Sequence, residues 1–201
     1  MFDEFQLYVR LGFHHIADLA GYDHILFIAA LAIPYAPRDW RRLGILITAF
    51  TLGHSITLAL ATLQLVSVKS AVVEALIPVT IVVTAVLAWR EASLPERTTS
   101  LPAGGREGFA ATRYLLAAGF GLIHGLGFST YLRAMLGQEE RITLPLFAFN
   151  VGLEVGQLVI LSVVLAVGAL VVRIGLARRH WVHLLAGVTG ALALALFVGR
   201  L

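Results

Sequence analysis

Leu43–Val66 reads LGILITAFTLGHSITLALATLQLV, twenty-four residues with no formal charge at neutral pH. A helix of that length spans the roughly 30 Å hydrocarbon core of a bilayer, which needs about 20 apolar residues. The same pattern recurs at 144–172, interrupted only by Glu154. Across all 201 residues, 59% are hydrophobic and 13% charged, and mean hydropathy is +0.87. No water-soluble domain needs so much apolar sequence. The fold class is therefore all-α: a single polytopic membrane helix bundle over 1–201.

Six spans are expected, at 21–36, 43–66, 70–90, 113–134, 143–172 and 181–199. Ahead of them, Gln6, Arg10, His14 and Asp18 recur every four residues among apolar neighbours. That spacing predicts an amphipathic helix within 1–20, lying at the membrane interface. The stretch 91–112, with Ser93, Pro95, Pro102 and Gly104-Gly105, reads as a linker between two parts of three spans each. A faint repeat relates Phe50–Ser55 to Phe120–Gly125, and an offset of two spans makes it a parallel repeat.

Basic residues set the expected orientation. Ten fall on the side of Arg38, Arg41, Arg42, Arg90, Arg97, Arg106, Arg113, Arg173, Arg178 and Arg179; five fall on the other, Arg10, Lys69, Arg133, Arg141 and Arg200. The positive-inside rule makes the arginine-rich loops cytoplasmic and both termini external, in an inner (cytoplasmic) membrane. Trp40, Trp89 and Trp181 fall at the cytoplasmic boundary. No cleavable signal is expected, because charged residues interrupt the first twenty positions. The net charge of +3 is explained by topology, and nucleic-acid binding is not expected, since no basic surface interleaves with aromatics. The lipid bilayer is the expected partner, and nothing in the chain opposes a homo-oligomer.

Function is carried by what hydrocarbon should exclude. Asp23, His24, His54, Glu74, His124 and Glu154 all fall in expected spans, and an ionisable group at mid-bilayer costs roughly 2.5–3.5 kcal/mol on insertion scales. Such groups normally face one another inside a bundle and mark an ion path, a proton relay or a metal site. There is no cysteine, so a metal would be held by imidazole, carboxylate, amide or backbone oxygen. That donor set suits nickel, cobalt or zinc better than copper(I).

The expected metal ligands are His24, His54, His124 and Glu154, with Asp23 and Glu74 collecting the cation from outside. Thr51 and Ser55 share a polar stripe with His54, and Asn150, Glu154 and Gln157 project from one face of the fifth span. These amides and hydroxyls either support the ligands or form a helix–helix hydrogen-bond seam. Pro78 removes the helical partner of the Glu74 carbonyl, which frees another oxygen there. His124 is flanked by Gly121, Gly125 and Gly127, which permit close helix approach.

Four motifs, in order, resemble the HupE/UreJ family of membrane proteins, more narrowly its second branch: Gly21–Phe27 (GYDHILF), Ala49–Leu58 (AFTLGHSITL), Phe120–Phe128 (FGLIHGLGF) and Phe149–Gln157 (FNVGLEVGQ). The resemblance runs from about Gly12 to about Leu161. It implies a membrane protein related to nickel permeases of hydrogenase and urease gene clusters. One departure is that Leu19-Ala20 looks like an insertion, so the upstream histidine, His15, is expected beside the ligands and not among them.

A permease for a divalent transition metal is thus the leading expectation. Its rival is an intramembrane zinc-type hydrolase acting on a lipid or peptide, with Glu154 or Asp23 as general base. A non-catalytic membrane subunit is a third reading. A thin inner path counts against transport: below His54 and His124, spans two and four offer mainly Thr48 and glycine toward the cytoplasm.

Overall fold

The computed structural model describes residues 2–93, 103–136 and 142–200; for 103–110 and 136 it describes the helical backbone only. Seven α-helices run through these residues: α1 (Phe2–Ala17), α2 (Asp23–Ala32), α3 (Trp40–Thr62), α4 (Ser70–Ser93), α5 (Ala103–Leu136), α6 (Thr143–Arg173) and α7 (Arg178–Gly199). Among the described residues there is no strand. Five helices, α3 to α7, are long and apolar enough to cross a membrane. The first expected span differs. Its helix, α2, has only ten residues, half of what a crossing needs, and ends just before Pro34 and Pro37. The expected linker is helical at both ends, where 91–93 close α4 and 103–112 open α5; its middle lies outside the described residues.

Two parallel helix pairs, each locked by glycine, form the frame. In α3 and α5, a Cβ on Gly53 would lie 2.1 Å from the Ala118 carbonyl oxygen, and one on Gly121 would lie 2.1 Å from that of Phe50. Each glycine thus rests on the carbonyl one turn before the other glycine. The α1–α6 pair repeats the arrangement: Gly12 rests on the Phe149 carbonyl and Gly152 on that of Val9, each with 2.0 Å to a hypothetical Cβ. Only glycine permits such backbone approach, and in lipid, where apolar burial drives little association, close packing is the main attraction. Gly125 and Gly156 extend each contact by one turn.

The α1 pairing refines the interfacial reading of the N-terminus. Gln6, Arg10, His14 and Asp18 are exposed as their spacing predicts, but the opposite face, with Tyr8, Gly12 and Ile16 buried, lies lengthwise on α6. A third pair, α4 with α7, is antiparallel, shown by Trp89 against His183 near one end and the Glu74 carbonyl against Arg200 at the other. The short α2 threads between α4, α6 and α7. Gly175, at φ +108°, ends α6 with Leu176 donating to the Val171 carbonyl, which turns the chain sharply into α7.

Candidate functional site

Four helices deliver one imidazole each to the same place. His15 comes from the last turn of α1, His24 from the first turn of α2, His54 from the middle of α3 and His124 from the middle of α5. The His24 ring centroid lies 4.6 Å from that of His15, 5.0 Å from His124 and 6.0 Å from His54. The glycine pairs explain the convergence: His54 follows Gly53 directly, while His15 and His124 each sit one turn beyond the glycine that seats their helix. Packing the backbones together brings the rings together.

The hydrogen bonding of these rings is incomplete. Five imidazole nitrogens are buried without a partner: Nε2 of His15, Nε2 of His24, both nitrogens of His54 and Nδ1 of His124. Buried polar atoms are nearly always satisfied, so five orphans in one cluster mark a place built for something else.

Where partners do exist, they orient the rings. Asp23 Oδ1 lies 3.2 Å from His24 Nδ1 and also accepts from the His24 backbone N–H at 3.0 Å. A carboxylate accepts, so the Nδ1 proton of His24 faces Asp23 and orients the ring. Thr80 Oγ1 donates its proton to the Ile77 carbonyl at 2.7 Å, so toward His124 Nε2, 2.9 Å away, it accepts. His124 Nδ1 then holds the free lone pair. The His124 assignment follows from the hydrogen bonds of Thr80. Thr80 was not singled out in the sequence; the available signal is its one-turn spacing from Thr84 on α4.

A cavity of about 200 Å³ leads to the rings. It is lined by His15, His24 and His124, by Asp18, Asp23 and Glu74, and by Arg200. Asp18 and Glu74 are exposed, so it reaches the surface. A single water needs only about 10–15 Å³ of such space, so a hydrated ion has room.

The other expected residues lie elsewhere. Ser55 bonds Asn150 at 2.7 Å, Thr51 bonds Gln157 at 2.7 Å, and Thr48 donates to Glu154 at 2.9 Å. This is an α3–α6 seam joining the two glycine pairs. Glu154 accepts from Thr48 at the exposed edge of this seam and is not among the residues lining the cavity, whereas the sequence expectation groups it with the imidazoles. None of these hydroxyls bonds His54. Glu74 sits at the mouth, accepting from Ser70 at 2.6 Å. Among the described residues, no three His, Asp or Glu side chains are arranged to hold a metal ion as they stand.

Beyond the rings, the bundle closes. Phe27 stacks on Phe50 at 4.7 Å and both abut His124. Past them, a space of about 30 Å³ touches Thr84, Phe120 and Arg113. At this arginine-rich end Arg113 pairs with Glu91 and donates to the Tyr35 hydroxyl at 2.7 Å, and Arg178 donates to the Pro34 carbonyl at 2.6 Å.

An apolar bundle of five long helices with a buried polar centre defines an integral, polytopic membrane protein. The chain belongs to the HupE/UreJ family: the family profile described as HupE / UreJ protein matches residues 1–200, well beyond the motifs that carry the resemblance. That family is associated with nickel and cobalt transport or with an accessory role in it. Comparison with curated proteins and with solved structures finds no match.

Proposed function

We propose that this chain is a permease for a divalent transition metal, nickel, cobalt or zinc, with His15, His24, His54 and His124 as the donors the ion meets inside the membrane. The observation that carries this is a cluster of five unpartnered imidazole nitrogens, three of them on His15, His24 and His124, which line a cavity shared with the acidic residues Asp18, Asp23 and Glu74. Two of the rings are oriented by polar partners, His24 by Asp23 and His124 by Thr80. Neutral imidazole without thiolate suits these metals. The rings must turn before three nitrogens meet one ion, and a carrier benefits from a site that is not rigidly closed, because it must also release.

Sidedness follows the arginines. The end with Arg38, Arg41, Arg42, Arg113, Arg173 and Arg178 is cytoplasmic, and the Asp23–Glu74–Arg200 end faces outward. In this arrangement α1 descends beside α6 to the level of the rings and α2 completes the sixth, broken passage. Thr80 and Thr84 on α4 add polar atoms beside His124 and toward the cytoplasmic side, beyond the Thr48 that α3 offers.

Uptake of radiolabelled nickel or cobalt into proteoliposomes is the test. Wild-type protein should accumulate the ion, and His24→Ala and His124→Ala should abolish uptake while the protein stays folded. A protein that retains metal but moves none would be the metal-dependent hydrolase instead, and one that binds none would be a non-catalytic subunit.

A further inference from the structure

Arg200, at the end of α7, places a positive charge inside the mouth of the cavity. Its Nη2 lies 3.0 Å from Asp23 Oδ2, and its Nη1 donates to the Glu74 backbone carbonyl at 3.1 Å. That carbonyl is available because Pro78 has no N–H to offer it. Three carboxylates, Asp18, Asp23 and Glu74, line the same cavity, and among the described residues Arg200 is the one arginine or lysine lining it. Two oxygens from two helices, one charged and one freed by a proline, are therefore bridged by a guanidinium.

We infer that Arg200 is a tethered stand-in for the incoming cation, holding the Asp23 and Glu74 oxygens until a divalent ion displaces it. This rests on the permease reading of the same site. The physical consequence is selectivity by charge. A monovalent ion exchanging for a guanidinium gains little on Asp23, whereas a doubly charged ion gains Coulomb energy at the same distance. The forked, always-charged side chain suits the task, since it spans both oxygens and cannot be neutralised by pH. Displacement frees Asp23 Oδ2 while Oδ1 stays on His24, so the carboxylate that receives the ion is already joined to the first imidazole.

Titration of the purified full chain in nanodiscs with Co2+, at fixed ionic strength, tests this by calorimetry and by the visible absorption of the bound ion. Arg200→Gln should bind Co2+ about five- to tenfold more tightly than wild type, a typical competition coupling. Millimolar guanidinium should weaken Co2+ binding to Arg200→Gln back toward the wild-type value and leave wild type unaffected. Unchanged or weaker affinity in a folded variant, or equal sensitivity to guanidinium in both proteins, overturns the inference. If Arg200→Gln does not fold, Arg200→Lys takes its place: a point charge bridges the two oxygens less well, so a smaller tightening is expected, and none overturns the inference. Wild-type binding with no effect of Arg200 sinks this inference alone; absence of Co2+ binding in every protein sinks the permease reading with it.

Discussion

Thr80 Oγ1 and His124 Nε2 lie 2.9 Å apart inside the bundle, and the one proton of that hydroxyl is committed to the Ile77 carbonyl. The ring is thereby held as the Nε2–H tautomer, with Nδ1 free for a ligand. Thr80→Val keeps the shape and removes the acceptor. Metal affinity should fall at least about tenfold, the usual cost of losing a partner that orients a ligating histidine. Thr80→Ser should restore most of it. Calorimetric titration with Co2+ on folded protein distinguishes these outcomes, and equal affinity in all three would remove Thr80 from the site.

The glycine locks make a prediction with an internal control. Gly121→Ala would put a methyl 2.1 Å from the Phe50 carbonyl oxygen, so α3 and α5 must separate. The expected loss is about 1–3 kcal/mol, the range for overpacking a tight contact. Gly119, two residues earlier on the same helix, has nothing within 4 Å of its would-be Cβ. Gly119→Ala should be neutral or stabilising by up to about 1 kcal/mol, from helix propensity alone. Thermal denaturation in detergent, followed by helical circular dichroism, should separate the two variants in opposite directions.

Most of this architecture can be read from Leu43–Val66 and its counterparts, because lipid permits only helices to carry so much uninterrupted apolar sequence. The convergence of His24, His54 and His124 is also legible, since buried imidazoles in separate spans have few places to go. What the residues could not reveal was partnership. Amphipathic spacing in α1 shows that one face is covered, but lipid and α6 are equally apolar covers, so Gly12 resting on Phe149 was invisible. The apparent Leu19-Ala20 insertion sets His15 beside the expected ligands, and the pairing of α1 with α6 puts its ring centroid 4.6 Å from that of His24. Glu154 shows the converse: a mid-span carboxylate stands out in sequence, and the structure gives it a partner in Thr48 on the neighbouring helix.

That seam is itself testable. Glu154→Gln retains an oxygen that accepts from Thr48, so metal content and uptake should remain near wild type. Asn150→Leu and Gln157→Leu each remove one interhelical hydrogen bond and should cost about 0.6 kcal/mol, the average measured for such bonds within membranes. Elemental analysis of purified Glu154→Gln gives the decisive reading. Loss of bound metal there, with the helix content intact, would return Glu154 to the ligand set.

Closure at the arginine-rich end implies that release requires a second state. Arg113 ties α5 to Glu91 on α4 and to Tyr35 after α2, and immediately within lies the small space touched by Thr84. Because the chain has no cysteine, Thr84→Cys creates a single thiol. In oriented vesicles, a membrane-impermeant maleimide should label it slowly from the arginine-rich side. Adding Arg113→Ala removes both ties at once, so labelling from that side should accelerate severalfold while labelling from the Arg200 side stays slow, with the imidazoles and the Phe27–Phe50 stack still between. Acceleration from both sides would mean the bundle has merely loosened, and no acceleration would mean that Arg113 closes nothing.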